Sequence, residues 1–80
     1  MKTTNILTYT VLFEHAEEGG YVTYAPLLPG CHSQGETLEE AESNIQEAIE
    51  VYLESLREHG EEAPVERKVL HGSVTVSATA

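Results

Sequence analysis

Histidine, cysteine and glutamate are the side chains in this sequence that could carry chemistry, and their spacing argues against a metal site. The sequence has one cysteine and four histidines, which are His15, His32, His59 and His71. Small metal sites use paired ligands at spacings such as H-x₃-H or C-x₂-C, and neither occurs here. Cys31 and His32 are adjacent, and adjacent strand residues point to opposite faces of a sheet. We therefore predict no metal site and no cofactor.

Cys31 is a candidate nucleophile, because a basic neighbour could lower its pKa. His32 could supply that base, but no third residue is placed to orient the histidine, as such pairs require. In a chain this short, a lone cysteine is more often a small buried hydrophobic residue. A hydrolase built around Cys31 is thus a minor hypothesis beside that of a binding protein.

Glutamate dominates the charge of the chain. All 14 acidic residues are glutamate, against four lysines and arginines, and the net charge is −10. A surface this negative repels phosphate backbones, so we expect no direct nucleic-acid binding. A small basic protein is the favoured partner, because opposite charge speeds its capture. The alternative, that the glutamates only keep a helix soluble, stays open.

The length of 80 residues predicts one small domain, residues 1–80, with no separate DNA-binding domain. A single core of this size is marginal by itself, so we expect a homodimer or a higher homo-oligomer. One cysteine cannot close an intramolecular disulfide, and the apolar runs are too short for a signal peptide or a membrane span. These features predict a cytoplasmic protein.

Alternating apolar residues, bounded by glycine and proline, predict the strands. Paired glycines place a hairpin loop at His15 to Gly20, and two prolines make Pro26 to Gly30 a loop. Leu27 and Leu28, between the prolines, are expected to fold back over the core as a plug. The fourth strand is the least strongly specified, because its side chains are small. The predicted strands are Ile6 to Glu14, Tyr21 to Ala25, Cys31 to Gly35 and Val69 to Ala78.

One long helix is predicted from Thr37 to about His59. Thr37 and Glu40 have the spacing of a capping box, while Gly60 and Pro64 suit the end of a helix. One apolar stripe runs along it at helical spacing: Leu38, Ala41, Ile45, Ala48, Ile49, Tyr52, Leu53 and Leu56.

The element order βββαβ predicts an α+β fold. Three strands form an antiparallel meander, a C-terminal strand joins the sheet, and the helix packs across one face. The other face of the sheet has no helix to cover it. We expect that face, together with the strand from Val69 to Ala78, to serve self-association or a partner.

The stretch from Gly20 to Leu53 combines turn residues, a helix cap and an apolar stripe in an unusual order. No single residue of this stretch is diagnostic, but the ordered series extends over more than thirty residues. The series consists of Gly20-Tyr21-Val22, Pro26, Leu28-Pro29-Gly30-Cys31, Gly35, Thr37, Glu40-Ala41, Asn44-Ile45, Glu47-Ala48 and Tyr52-Leu53. On these residues the chain resembles the HicB antitoxin family, whose members carry a partial ribonuclease-H-like module. The resemblance implies a sheet order of 3-2-1-4.

The resemblance implies an antitoxin that masks a small basic ribonuclease toxin, HicA. Active ribonucleases of the related fold place aspartates on the first and fourth strands, whereas this chain has no aspartate and its first strand offers only Glu14. Because two-metal cleavage needs several converging carboxylates, we expect no enzyme activity. The alternative is an orphan dimeric interaction or regulatory module that has neither a toxin partner nor catalytic activity.

Six residues are predicted to bind the partner. Glutamates on the exposed side of the helix would attract a basic protein, and apolar residues around the proline loop would hold it. The six are Tyr24, Leu27, Leu28, Glu47, Glu50 and Glu54.

Overall fold

A computed structural model describes residues 6–79 and contains three strands followed by one long helix. The strands form one antiparallel sheet in the order in which they follow along the chain, and the helix packs mainly on the third strand and less on the second. The α+β class, the meander and the single long helix are therefore confirmed. The elements are β1 (Leu12–His15), β2 (Tyr21–Tyr24), β3 (His32–Gly35) and α1 (Leu38–Glu58).

The first strand is shorter than predicted, since β1 begins at Leu12 rather than Ile6. Leu12 pairs with Tyr24, so the same register would place Pro26 opposite Thr10. The chain turns away at Pro26, and residues 6–11 are left without a strand partner from β2. The predicted hairpin loop is confirmed, because Gly19 and Gly20 both adopt positive φ there.

Local signals at both ends define helix α1. Thr37 is the N-cap, and its Oγ1 accepts a hydrogen bond from the Glu40 N–H at 3.1 Å. The Glu40 carboxylate accepts from the N–H of Glu36, one residue earlier than a capping box would use. At the other end Gly60 has a positive φ, and its N–H donates to Arg57 while that of Glu61 donates to Leu56. This pattern is a Schellman motif, so the predicted helix end is confirmed.

The core lies between the sheet and α1. Leu28 is 0% exposed and packs with Ala25, Cys31 and Ile45. Of the two leucines predicted as a plug, only Leu28 enters the core, whereas Leu27 is exposed. Around this centre lie half-buried side chains from residues 9–11 and from the predicted helix stripe, namely Tyr9, Val11, Ala48, Ile49, Tyr52 and Leu53.

The predicted fourth strand, Val69 to Ala78, is not a strand in the structure. Within residues 6–79 the sheet has three strands, so the predicted order 3-2-1-4 is seen only as far as 3-2-1. Residues 67–79 are exposed throughout, and the chain reaches 58 Å along its longest axis against 27 and 20 Å across. A strand needs a hydrogen-bonding neighbour, and this segment, which we call the C-terminal arm, has none among residues 6–79.

Two contacts fix the chain just before the arm begins. The Tyr9 hydroxyl donates to the carbonyl of Pro64. The Glu66 carboxylate accepts from the Thr10 N–H at 2.7 Å and from the Thr10 hydroxyl. Because Pro26 has left the sheet opposite Thr10, Glu66 supplies the acceptor that β2 does not. We call the two hydrogen bonds between Thr10 and Glu66 the Thr10–Glu66 latch.

Candidate protein-binding surfaces

The strand register decides which side chains face the helix. Thr23 of β2 is fully buried against α1 and pairs with Phe13 and Ser33. Directly opposed residues share a face, and the next residue along each strand points the other way. Tyr24 therefore lies on the side of the sheet away from the helix, as does Glu14.

The side of the sheet away from α1 forms the open sheet face. The Tyr24 hydroxyl lies 3.3 Å from the Glu14 carboxylate and donates to it. Partial burial and the negative charge of Glu14 raise the pKa of Tyr24, so the hydroxyl stays protonated and keeps this donor role. The face has an apolar centre with polar groups around it, and it consists of Leu12, Glu14, Val22, Tyr24, His32 and Gln34.

The outer side of α1 forms a second surface, the acidic helix face. Its members lie opposite the buried Ala41 and Ile45, and all are exposed. Val51 is 61% exposed among the glutamates, which gives this charged surface one apolar contact point. The face consists of Glu47, Glu50, Val51, Glu54 and Glu58.

The structure divides the six predicted partner-binding residues. Glu47, Glu50 and Glu54 share the acidic helix face, whereas Tyr24 belongs to the open sheet face on the opposite side of the two layers. Leu27 is exposed in the loop after β2. Leu28 requires a correction, because it is fully buried in the core and has no surface to offer a partner.

An open groove of about 570 Å³ runs between β3 and α1, beside the acidic helix face. Asn44 closes one part of this junction, since its Nδ2 donates to the carbonyl of Gln34 at 2.7 Å. Glu47 and Val51 line the groove as well as belonging to the helix face. A side chain of a partner bound to the helix could enter here, and sequence periodicity alone gave no sign of the groove.

Cys31 lines the same groove but is buried. Desolvation by this burial raises the pKa of the Cys31 thiol, which favours the unreactive protonated form. His32 is exposed while Cys31 is not, so the two side chains do not form a nucleophile–base pair. The geometry gives the hydrolase hypothesis no support.

The described residues also offer no metal centre of the usual kind. Among residues 6–79 no three His, Cys or Glu side chains converge as a set of ligands. In the same range, no helix combines the length with the apolar character that crossing a membrane requires.

Comparison with known proteins identifies relatives along most of the chain. It is 54% identical to the UPF0150 protein ssr1765 of Synechocystis sp. over 61 residues, which cover 76% of this chain and 77% of the relative. It is 50% identical to the UPF0150 protein Ta0767 of Thermoplasma acidophilum, covering 72% and 84% of the two chains. A 14.9 kDa protein from the rep-hol intergenic region of Haemophilus phage HP1 is 41% identical, but the match covers 43% of that protein.

A family model also matches residues 9–75, a range that contains β1, β2, β3, α1, the Thr10–Glu66 latch and the first part of the arm. The model describes the HicB-like antitoxin of bacterial toxin–antitoxin systems. The match extends well beyond the central segment on which the resemblance first rested. The chain belongs to the HicB-like antitoxin family.

Proposed function

We propose that this protein is an antitoxin that neutralises a small basic HicA-type ribonuclease by covering it with the acidic helix face. The observation that carries the proposal is the outer side of α1, where exposed glutamates surround a single exposed valine. Family membership supports a role in a toxin–antitoxin system. Blocking a toxin needs only a complementary surface, so the proposed action requires no catalytic group and no cofactor.

Electrostatics favours the acidic helix face over the open sheet face for a basic partner. Glu50, Glu54 and Glu58 follow one another at a spacing of four residues, and like charges at this spacing repel by roughly 0.2–0.5 kcal/mol per pair. A lysine or arginine of the partner would relieve this repulsion. Exposed charges act mainly on the rate of association, and apolar burial around Val51 and in the adjoining groove would slow dissociation.

We also propose that Tyr24 and Leu27 contact the partner, at positions separate from the acidic helix face. Because Tyr24 lies on the opposite side of the two layers, a partner that contacts both sets must reach around an edge of the sheet. We also propose a cytoplasmic location, which suits the free, buried Cys31 thiol.

The proposal can be tested with a charge-reversed triple variant, Glu47→Lys, Glu50→Lys and Glu54→Lys. Its matched control reverses three exposed glutamates outside α1, namely Glu17→Lys, Glu18→Lys and Glu62→Lys. Both variants change the net charge equally, so any difference between them comes from position. The partner is a HicA-type protein from the same genome, whose toxicity in cells is measured with and without this chain.

We expect the helix variant to lose rescue and to associate more slowly at low salt, with a smaller defect at high salt, since salt screens exposed charges. The control should rescue the cells and differ little from the wild type in association rate at matched salt. Equal defects in both variants would show that only total charge matters. If no HicA-type protein binds the wild type, the orphan interaction module becomes the better interpretation.

A further inference from the structure

The C-terminal arm, residues 67–79, has the composition of a strand but no strand neighbour in the part of the chain that the structure describes. Val74 and Val76 are 88% and 76% exposed, and Thr75 and Ser77 alternate with them. Alternation of apolar and polar residues is typical of a strand with one buried face. Because both valines are exposed to water, the arm does not gain the hydrophobic stabilisation that burial of this face would give.

The arm also differs in charge from the rest of the chain. It contains Arg67, Lys68 and His71 but no acidic residue, while all 14 glutamates precede it. Two of the four lysines and arginines in the whole chain are therefore at the start of the arm. The protein thus combines an acidic body with a basic, partly apolar arm.

A groove beside the N-terminal side of β1 matches this arm in chemistry. It has a volume of about 390 Å³ and lies between residues 7–11 and helix α1. Glu42 and Glu50 stand at its rim. Residues 6–11 have no strand partner from β2, so their backbone, apart from the Thr10 N–H that Glu66 already binds, can accept an added strand. The apolar floor of this edge groove consists of Leu7, Tyr9, Val11, Ile45, Ile49 and Leu53.

We propose that the arm of one copy lies in the edge groove of a second copy, and that the second copy returns the contact. Val74 and Val76 fill the apolar floor, and the basic residues that start the arm approach the rim glutamates. Such an exchange is isologous, so it closes into a dimer with two-fold symmetry. The arm then becomes a fourth strand, which residues 6–79 of a single chain do not form.

Chain geometry favours a second copy over the groove of the same chain. The Thr10–Glu66 latch holds Glu66 next to the groove, yet residues 67–79 are exposed throughout, so the arm leaves the groove of its own chain open and would have to turn back to fill it. Residues 67–71 contain no glycine, proline or asparagine, which tight turns commonly use, and the first glycine is Gly72. Continuing outward, residues 67–76 extend roughly 33 Å as a strand, which is far enough to reach another molecule.

The first test measures dimerisation by sedimentation equilibrium at micromolar concentration. The wild type should be a dimer that weakens as salt is raised. The double variant Val74→Asp and Val76→Asp should raise the dimer dissociation constant at least about tenfold, because unpaired carboxylates are costly to bury. The control, Thr75→Asp and Ser77→Asp, adds the same charge to the other face of the arm and should dimerise nearly as well as the wild type.

The second test distinguishes the two possible grooves. In a Cys31→Ala background, one preparation carries Val76→Cys and another, of different mass, carries Ile49→Cys. After mixing under mild oxidation, a disulfide between the two preparations is expected. A chain carrying both cysteines reports the alternative, because an arm in its own groove would give a cross-linked monomer.

Each outcome is decisive. A monomeric wild type, or a dimer that survives the Val74 and Val76 substitutions, would overturn the proposal. An equal loss of dimerisation in the Thr75 and Ser77 control would also overturn it. The contact would then depend on added charge and not on which face of the arm carries that charge. A cross-linked monomer in place of the mixed dimer would assign the arm to its own chain. None of these measurements involves a toxin, so they are independent of the proposed function.

Discussion

Gly35 of β3 and Ala41 of α1 are in backbone contact. A Cβ built on Gly35 would lie 2.4 Å from the Ala41 nitrogen, so only glycine fits between the sheet and the first turn of the helix. This contact fixes the height at which α1 crosses the sheet, and thereby the positions of its core and acidic sides.

We expect Gly35→Ala to lower the free energy of unfolding by about 1–3 kcal/mol, because the overlap is with backbone atoms that cannot move independently. Gly72→Ala is the control, since nothing lies within 4 Å of a Cβ at that position. Urea titrations of both variants measure the difference. Equal stability would mean that α1 can shift away from β3 at little cost.

Thr23 should be more stable as valine. Its Oγ1 is buried and finds no hydrogen-bond partner within residues 6–79, and an unsatisfied buried polar atom costs free energy. We expect Thr23→Val to raise the free energy of unfolding by about 1 kcal/mol. Thr8→Val, at an exposed position, should leave it nearly unchanged. A destabilised Thr23→Val protein would indicate that the hydroxyl has a partner, such as a water molecule.

The two sides of α1 should respond very differently to substitution. Ile45 is buried in the core, so Ile45→Ala should cost about 2–5 kcal/mol. Glu54 is exposed, so Glu54→Gln should change the free energy of unfolding by less than about 0.5 kcal/mol. The substitution also removes one charge from a row of like charges, which offsets part of any loss. Thermal melts that show Glu54→Gln to be the more damaging change would contradict the assignment of the helix sides.

The Thr10–Glu66 latch should weaken in acid. Hydrogen bonds from the Thr10 hydroxyl and N–H lower the pKa of Glu66, so the folded state favours its charged form. A lowered pKa stabilises the fold above the ordinary glutamate pKa of about 4.3, and this contribution is lost as the pH falls through the folded-state value.

Denaturant midpoints measured from pH 7 down to pH 3 test this linkage. Glu66→Gln should lie below the wild type at pH 7, and the gap should narrow in acid. Glu62→Gln, a neighbouring exposed glutamate, controls for the general loss of charge. A gap that stays constant with pH would show that the Glu66 contact does not depend on its ionisation.

The helix could be predicted from sequence because its signals are local. Thr37, Gly60 and the apolar stripe each act within one or two turns, and the structure places α1 within one residue of the predicted limits. The glycine pair of the hairpin is local in the same sense. Such elements depend little on what lies across the fold.

The features that the sequence did not predict depend on contacts between residues that are distant in the chain. The strand pattern of Val69 to Ala78 is genuine, but a strand also needs a neighbour, and the described residues of the chain provide none. Likewise, no local rule tells Leu28, which is buried, from Leu27, which is exposed. The placement of Tyr24 on the opposite side from Glu54 became visible only once the register of β2 with β1 was known.

The acidic helix face points away from the open sheet face, so under the proposed function each copy would offer one such face to a toxin. An arm-exchanged dimer would present Glu47, Val51 and Glu54 twice, once from each copy. Such a dimer would bind two toxin molecules, giving a stoichiometry of two to two. If the target is itself a dimer, or if two copies of it are held close together, binding at one face would raise the effective concentration at the other. The overall affinity would then exceed the affinity of each face alone.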